Sequence, residues 1–393
     1  MAQRSKNVVI LLLSALIIIS SCGVNNRKEA EEIIAKFEQN NVPDKRETVF
    51  DVEALFQKGK VVLQGETDNL SLKNELLNQF ESFEVVDKIL LLSDSTIGEK
   101  SYALVNISVA SFRANPWYSA ELVTQALLGT PVKILKKQGS WFLVQTPDRY
   151  ISWVPSGGIF PITENELQTW RQSERMLFTG SFTQIFENER LEKPVADVTM
   201  GGILELLDQQ RNYIKVKFPD GRKGFTTRQN WVSFSEFRKT SRPDSSSVVN
   251  LAQKLKGRPY LWGGTSALAM DCSGFTKMVY FMHGIILARD ASLQARHGQP
   301  VNPDNSFENL QPGDLLFFGQ KENEEQPERI THVAISRGKT EYIHAAGKVE
   351  ENSFDPGSEN YSEYRKNTFI RAQRVIGSEG TEGIQWVKEH PWY

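Results

Sequence analysis

The chain reads Asp271-Cys272-Ser273-Gly274-Phe275 at the point where a helix begins, and the C-terminal part is organised around this helix. From Phe275 onward, apolar residues recur at steps of three and four, the period of a helix that buries one face. These residues are Phe275, Met278, Val279, Met282 and Ile286. Cys272 is therefore predicted in the first turn, where unpaired backbone N–H groups and the helix dipole stabilise a thiolate and, later, an oxyanion.

The composition is that of a globular protein with several domains. The chain has 393 residues, of which 39% are hydrophobic, so two to four domains are expected. Lys and Arg total 46 against 48 Asp and Glu, and this near-neutral balance gives no electrostatic basis for binding nucleic acid. No nucleic-acid partner is therefore predicted.

The N-terminus has the pattern of a signal peptide. Arg4 and Lys6 supply positive charge, and Val8–Ile19 is an apolar stretch too short to span a bilayer as a helix. It ends in Ile19-Ser20-Ser21-Cys22-Gly23, which resembles the box of bacterial lipoproteins, where the cysteine is diacylated. The resemblance implies an exported protein of the cell envelope, anchored to a membrane by lipid on Cys22. The alternative is an unrelated cysteine after a signal peptide.

Cysteine usage gives the second of the two cysteines a special status. If Cys22 carries lipid, Cys272 has no disulfide partner and must persist as a lone thiol in an oxidising compartment. Catalysis is the simplest reason for keeping an unpaired thiol there.

Composition and patterning divide the chain into six predicted segments. They are the signal peptide 1–21, a small helix-rich N-terminal domain 22–106, two β-domains 107–165 and 172–238, the cysteine-bearing domain 245–377 and a tail 378–393. The polar stretch Lys239–Ser247 has the composition of a linker or domain edge.

An internal repeat indicates that the two β-domains are copies of one small barrel. Trp141 matches Tyr213, and four further pairs are separated by the same number of positions. The pairs are Gly129 with Gly201, Val144 with Val216, Asp148 with Asp220, and Trp153 with Phe225. The predicted strands are Pro131–Leu135, Trp141–Thr146, Ile203–Leu207 and Tyr213–Phe218. Both copies resemble the bacterial SH3-like domains found beside cell-wall enzymes; the alternative is a chance pair of hairpins.

The cysteine-bearing domain is predicted to have an α+β fold. A helix, a glycine-rich turn and the cysteine helix precede strands at Asp314–Phe318, His332–Ser336 and Tyr342–His344. Helices followed by a sheet favour this class over a wound parallel sheet.

A cysteine nucleophile needs a base, and the base needs an orienting partner. His332 and His344 are the favoured pair, because they lie close together in the chain and are expected on adjacent strands. The other histidines are His283 further along the cysteine helix, His297 in a loop and His390 in the tail. The alternatives are two structural histidines, or a Cys-His-His zinc site, which no second cysteine and no His-Glu-x-x-His spacing supports.

Four ordered motifs resemble the NlpC family of bacterial cell-wall cysteine peptidases. They are Asp271–Phe275, Leu310–Leu315, His332–Ile335 and Tyr342–Ala345. The resemblance implies a papain-like core that needs no cofactor and cuts the bond between γ-D-glutamate and the diamino acid of peptidoglycan stem peptides. It makes Cys272 the nucleophile, His332 the general base and His344 the residue that orients the imidazole.

The same resemblance implies further site residues near the nucleophile. In Tyr260–Gly264, the Tyr260 hydroxyl would assist the developing oxyanion, and Trp262 would contact the substrate; the alternative is a buried tyrosine beside a plain turn. Asp271 and Ser273 would line the γ-D-glutamyl pocket.

The resemblance extends to family members whose first SH3-like domain closes one end of the cleft and which act on stems with a free N-terminal L-alanine. The positions that match their amine-binding groups are Glu121, Tyr150 and Asp290, followed by Ala291 where some members carry serine. A carboxylate pair suits one ammonium group and is left uncompensated by an acylated end. Surface salt bridges are the alternative explanation for the two acidic residues.

The sequence thus predicts a membrane-anchored cysteine peptidase, without a cofactor, that acts on peptidoglycan-derived L-Ala-γ-D-Glu-diamino acid peptides. Two other functions stay open. One is a cell-wall-binding protein with an inactive third domain, and the other is an amidase or acyltransferase that uses the same thiol.

Overall fold

The computed structural model describes residues 27–93, 95–303 and 306–393. The predicted signal peptide and Cys22 lie outside these residues. The chain divides into two compact units, one up to Thr96 and one from Ile97 to Tyr393. Every helix within the described residues is too short or too polar to cross a membrane.

The N-terminal unit contains a three-stranded sheet and two helices. Its elements are α1 (residues 27–41), β1 (Phe50–Gln57), β2 (Lys60–Thr67), α2 (Leu70–Asn78) and β3 (Val85–Leu91). Strands β1 and β2 form an antiparallel hairpin, and β3 runs parallel to β2. Besides the predicted helical structure, this unit thus contains a sheet that the sequence analysis did not predict. Lys58 and Gly59 both have positive φ and form the two-residue turn of this hairpin. The turn was not predicted because the surrounding sequence is highly charged.

The first SH3-like segment is a seven-stranded antiparallel sheet. Its strands are β4 (Tyr102–Val105), β5 (Val109–Arg113), β6 (Leu122–Leu127), β7 (Pro131–Gln138), β8 (Trp141–Gln145), β9 (Ile151–Pro155) and β10 (Ile159–Ile162). They are arranged in the order β10-β4-β7-β8-β9-β5-β6. A buried cluster that includes Phe112 and Val144 forms its core.

The second SH3-like segment follows helix α3 (Glu164–Gln172) and repeats this plan. Its strands are β11 (Arg175–Phe178), β12 (Phe182–Phe186), β13 (Pro194–Thr199), β14 (Ile203–Gln209), β15 (Tyr213–Lys217), β16 (Lys223–Thr227) and β17 (Trp231–Ser233). Strands β14, β15 and β16 are displaced from β7, β8 and β9 by the same offset as Tyr213 from Trp141, so the repeat predicted from the sequence is confirmed. The copies are in direct contact, since the Ile203 amide donates to the Leu128 carbonyl over 2.8 Å.

The cysteine-bearing domain packs helices against a six-stranded sheet. Helix α4 (Phe234–Thr240) packs on β11 and β17 of the second SH3-like segment. The helices of the cysteine-bearing domain are α5 (Ser245–Lys254), α6 (Cys272–Phe281), α7 (Ala291–Gln294) and α8 (Glu363–Thr368). Its strands are β18 (Thr265–Ser266), β19 (Ala269–Met270), β20 (Ile285–Leu287), β21 (Gln299–Val301), β22 (Leu315–Gln320), β23 (Arg329–Gly338), β24 (Glu341–Ala346), β25 (Lys348–Ser353), β26 (Phe369–Arg374) and β27 (Ile384–Trp386). The order β21-β26-β22-β23-β24-β25, with α6 packed on β23, confirms the α+β prediction.

The cysteine helix is shorter than its apolar pattern predicts. It ends at Phe281, so His283 lies beyond it and Ile286 belongs to β20. Gly284, which has a φ of 81°, follows the end of the helix, and the next residues form β20 and pair with β27 from the C-terminal tail.

Candidate active site

Cys272 is the first residue of α6, as the sequence predicts. The Asp271 carboxylate caps this helix by accepting a hydrogen bond of 2.7 Å from the Gly274 amide. Gly274 is required here, because a Cβ atom at this position would lie 2.0 Å from the Gly264 carbonyl oxygen. The segment between Asp271 and Gly274 therefore holds the buried thiol against the preceding glycine turn.

The resting thiol is neutral, which differs from the predicted thiolate. Burial raises the pKa of Cys272 to about 11, and the charge of Asp271 contributes to this rise. Hydrogen bonds from the Val333 and Ser273 amides act in the opposite direction, as expected at a helix start, but burial outweighs them. The thiol must therefore lose its proton to a base during attack.

His332 and His344 meet at the edge of the cysteine helix. His332 lies on β23 immediately before Val333, whose amide reaches the Cys272 sulfur. His332 Nε2 and His344 Nδ1 are 2.7 Å apart, and both rings are buried. The structure thus pairs the two predicted imidazoles and places the residue after His332 against the predicted nucleophile, whereas the catalytic roles of the three residues stay predictions.

A chain of hydrogen bonds fixes the protonation pattern of both imidazoles. The Asn352 amide nitrogen donates to the Asn360 carbonyl, which leaves Asn352 Oδ1 to accept from His344 Nε2 over 2.8 Å. A neutral His344 then has an unprotonated Nδ1, which accepts from His332 Nε2. The remaining nitrogen of His332, Nδ1, is therefore unprotonated and has the lone pair that a base needs.

Burial favours the neutral form of both rings. It lowers the pKa of His332 well below its ordinary value, with a further contribution from Arg365, and it lowers the pKa of His344 to about 4. A neutral His332 is able to accept the proton of Cys272 at physiological pH.

Two of the other histidines have structural contacts. His283 Nδ1 lies 2.7 Å from the Val279 carbonyl, and His390 Nε2 lies 3.1 Å from the Pro147 carbonyl. Within the described ranges, no group of three or more His, Cys, Asp or Glu side chains is arranged to hold a metal ion.

Tyr260 and Trp262 lie on the segment before the nucleophile. Tyr260 is half-buried, and burial followed by the charges of Cys272 and Asp271 raises the pKa of its hydroxyl, so the group stays a hydrogen-bond donor. Trp262 is 61% exposed. Their predicted roles in oxyanion stabilisation and substrate contact stay predictions.

The Asp271 carboxylate and the Ser273 hydroxyl are engaged inside the protein. Asp271 accepts from the Gly263 amide over 3.0 Å and from Arg289 over 2.6 Å, besides the Gly274 amide. Ser273 donates to Asp271 and accepts from Arg289 over 2.8 Å. These bonds use most of the lone pairs of the Asp271 carboxylate. The predicted contact of Asp271 and Ser273 with the γ-D-glutamyl group stays a prediction.

The first SH3-like segment packs directly against the nucleophile loop. Glu121 Oε1 accepts a hydrogen bond of 2.8 Å from the Trp262 indole, and the backbone of Gln125 accepts from the Thr265 hydroxyl. Gly263 has a φ of 75°, and a Cβ atom there would lie 2.3 Å from the Leu122 carbonyl oxygen. The SH3-like segment therefore forms one wall beside the thiol.

The other predicted amine-binding residues lie along the same wall. Tyr150 is buried against Ala288 and Leu293, which flank Asp290 in the sequence. Asp290 is partly exposed and lies 4.0 Å from Arg289, and Ala291 is buried. The structure thus brings Glu121 to Trp262 and Tyr150 to the segment of Asp290, whereas binding of an amine stays a prediction.

Three functional candidates were not predicted from the sequence. Asn352 orients His344, Arg289 pairs with Asp271, and Arg365 lies near the two imidazoles. Arg289 could have been predicted, because it is adjacent to Asp290 in the sequence. Asn352 and Arg365 belong to no recognisable motif. Their placement depends on how β25 and α8 return to the sheet.

A thiol at a helix start with an oriented imidazole pair, on an α+β core, defines a papain-like cysteine peptidase. Comparison of the chain with models of known protein families agrees with this class. Residues 257–372 match the model of the NlpC/P60 family, and residues 112–159 match the bacterial dipeptidyl-peptidase SH3 domain. The chain belongs to the NlpC/P60 family of cysteine peptidases, and the predicted fold class and enzyme class are confirmed.

Similar proteins align with more than half of this chain. A γ-D-glutamyl-L-lysine dipeptidyl-peptidase of Bacillus cereus is 30% identical over 57% of this chain and 67% of its own. Dipeptidyl-peptidase 6 of Lysinibacillus sphaericus is 28% identical over 67% of this chain and 95% of its own. The crystal structure of an NlpC/P60 family protein from Bacillus cereus superimposes with a TM-score of 0.59 and 25% identity, covering 70% of this chain and all of that one.

Replacing Asn352 with leucine should slow alkylation of Cys272 by iodoacetamide about tenfold at pH 7. Leucine has no acceptor for His344 Nε2, so His344 is free to adopt the other tautomer and His332 loses its fixed proton pattern. The rate is measured by mass spectrometry of the peptide that contains Cys272. Asn360→Ala is the matched control, because it removes a side-chain bond to Glu341 but keeps the carbonyl that orients Asn352. Equal rates in wild type and Asn352→Leu would show that Asn352 does not orient the pair.

Proposed function

We propose that this protein hydrolyses the γ-D-glutamyl to diamino-acid bond of peptidoglycan stem peptides that have a free N-terminal L-alanine. The observation that carries the proposal is the hydrogen-bonded chain from Asn352 through His344 to His332, because the residue after His332 donates its amide to the Cys272 sulfur. An SH3-like segment packs against the loop before this cysteine. The names of the similar dipeptidyl-peptidases support the choice of bond.

The chemistry follows from the neutral resting pair. Cys272 Sγ attacks the γ-carbonyl carbon while its proton passes to His332 Nδ1. The resulting oxyanion is stabilised by backbone N–H groups at the helix start and by the Tyr260 hydroxyl. His332 then gives the proton to the leaving amine of the diamino acid, and the C–N bond breaks to leave a thioester on Cys272.

Deacylation uses the same groups in reverse. Water enters after the diamino acid has left, and His332 removes its proton as it attacks the thioester carbonyl. The second tetrahedral intermediate expels the Cys272 sulfur, which regains the proton from His332. The products are L-Ala-γ-D-Glu and the amino-terminal diamino acid, and no cofactor takes part.

The first SH3-like segment supports selection of a short, unacylated end. Glu121 uses one carboxylate oxygen to hold Trp262 and is exposed, so its other oxygen is available to an ammonium group. Asp290 is the second carboxylate on this wall. Acetylation of the N-terminal alanine removes its ammonium charge, so neither carboxylate has a counter-ion in the complex. Binding of the acyl half of the substrate is then weaker.

The test is hydrolysis of L-Ala-γ-D-Glu-L-Lys, followed by mass spectrometry of the products. Release of L-Ala-γ-D-Glu and lysine is expected, with kcat/KM about 10- to 100-fold lower for the N-acetylated peptide. The Cys272→Ala protein is the negative control. Cleavage of another bond would favour an amidase, and retention on purified sacculi without any cleavage would favour a wall-binding protein. Equal rates for the two peptides would reject the amine site alone.

We propose in addition that the protein is a lipoprotein of the cell envelope, anchored to a membrane through acyl chains on Cys22. The support is the sequence before and after this cysteine, which lies outside the described residues. Incorporation of labelled palmitate by wild type, but not by Cys22→Ser, tests the anchor; labelling of both proteins would refute it.

A further inference from the structure

Arg365, a cation with no carboxylate partner among the described residues, lies beside the catalytic imidazoles. It belongs to α8, whose first turn is capped by Ser362, and the helix packs against β22. Its guanidinium carbon lies 5.6 Å from the centre of the buried Phe318 ring and 5.3 Å from the Tyr364 ring. In the part of the chain that the structure describes, no carboxylate oxygen lies within 4.0 Å of this guanidinium.

The aromatic rings connect this cation to the catalytic centre. The Phe318 ring lies 5.7 Å from the His332 ring, and these two residues are directly opposite each other on β22 and β23. Tyr364, on the outer side of Arg365, is 68% exposed. The guanidinium therefore lies between a buried ring and an exposed one, at the border between the site and solvent.

The partial burial of the Arg365 charge is energetically unfavourable in the protein without substrate. Burial lowers the pKa of Arg365, and its charge adds to the lowering of the pKa values of His332 and His344. Glu350 is among the groups whose charge stabilises the guanidinium, but its carboxylate lies beyond 4.0 Å and forms no ion pair with it. Because a half-buried charge is stabilised by direct pairing, an anionic group of a ligand would compensate Arg365. Arginine is the residue best suited to this task, because its planar fork matches a carboxylate with two hydrogen bonds.

Geometry and chemistry identify the half of the substrate that lies here. His332 donates a proton to the leaving nitrogen, so the diamino acid must lie next to the His332 ring. In the function proposed above, the acyl half lies toward Trp262 and Glu121, because Glu121 binds its ammonium end. The α-carboxylate carbon of the diamino acid is only two bonds from the leaving nitrogen, which brings this group toward the side of His332 where Phe318 and Arg365 lie.

We propose that Arg365 binds the free α-carboxylate of the diamino acid, and that the protein therefore selects stem tripeptides that end at this residue. The proposal rests on the function proposed above. It assigns Arg365 to substrate selection on the leaving side, whereas Glu121 and Asp290 act on the opposite end. A stem extended beyond the diamino acid converts this carboxylate into an amide and leaves the Arg365 charge unpaired, so such stems are poor substrates.

The experiment compares three peptides with the full-length protein. They are L-Ala-γ-D-Glu-L-Lys, the same peptide with a C-terminal carboxamide, and the free acid with D-isoglutamine in place of D-glutamate. Wild type should cleave the free acid with a kcat/KM about 10- to 100-fold above that of the carboxamide. Arg365→Gln should bring this ratio close to one, and Arg365→Lys should retain part of it. The ratio within one variant cancels any general effect of the substitution on folding or on His332.

Lys366→Gln is the matched control, because Lys366 is the neighbouring cation on the same helix and lies over Tyr361. It should keep the wild-type ratio. A wild-type ratio near one, or an unchanged ratio in Arg365→Gln, overturns the proposal while leaving the proposed function intact. An Arg365→Gln effect that appears only when D-glutamate is present, and not with D-isoglutamine, would place the recognised carboxylate on the acyl half and also overturn it. Absence of cleavage of all three peptides by wild type would refute the proposed function and this inference with it.

Discussion

Replacing Cys272 with alanine, or His332 with glutamine, should each lower kcat by about four orders of magnitude, and the double variant should be little worse than either single one. The thiol has a pKa of about 11, so it attacks only as its proton moves to His332. His332 in turn has no task when no thiol is present. Groups that act as one unit show such non-additive losses. The measurement is kcat and KM on L-Ala-γ-D-Glu-L-Lys for the four proteins.

The pH profile separates a catalytic loss from a structural one. Protonation of His332 blocks proton acceptance, so the wild-type rate falls as the pH decreases through the pKa of this group. Burial holds that pKa well below 6.5, and activity should therefore persist below pH 6.5. The residual activity of His332→Gln should lack this acidic limb.

His283→Gln is the matched control for the histidine substitution. His283 contacts the Val279 carbonyl at the end of the cysteine helix and is bonded to neither catalytic imidazole. Its kcat should stay close to that of wild type. A double variant with a loss near the product of the two single losses would contradict coupled action of Cys272 and His332.

The candidate catalytic set was predictable because each member has a local signal. Cys272 begins an apolar helical period, and His332 and His344 lie on short β-type runs that are close in sequence. Strands that follow each other so closely in the chain bring such side chains together with few alternatives. The repeat was equally accessible, since Trp141 and Tyr213 begin equivalent strands.

The remaining features depend on contacts between distant segments. The pKa of Cys272 is set by burial under β23, which no local pattern reports. Asn352 is an exception, because it lies only eight residues from His344 on the next strand of a hairpin, but no motif marks an asparagine there as an orienting residue. The strand β20 after α6 pairs with β27 of the C-terminal tail, far later in the chain.

The largest stability effect is expected at a buried ion pair that these local patterns also missed. Arg289 is fully buried, and its guanidinium reaches Asp271 over 2.6 Å and the Thr124 hydroxyl over 2.8 Å. One side chain thus joins the cap of the nucleophile helix to a strand of the first SH3-like segment. The cap and the wall of the cleft are coupled through this arginine.

Arg289→Met should lower the free energy of unfolding by about 3 to 5 kcal/mol, because the Asp271 carboxylate then stays buried without its counter-ion. Arg289→Met combined with Asp271→Asn should recover part of this loss, since no uncompensated charge remains. Urea unfolding of the full chain, monitored by tryptophan fluorescence, gives the values. The control is Arg222→Met at the exposed pair of Arg222 and Asp220, where about 1 kcal/mol or less is expected. Equal losses at the two arginines would mean that the buried pair does not couple the helix cap to the SH3-like wall.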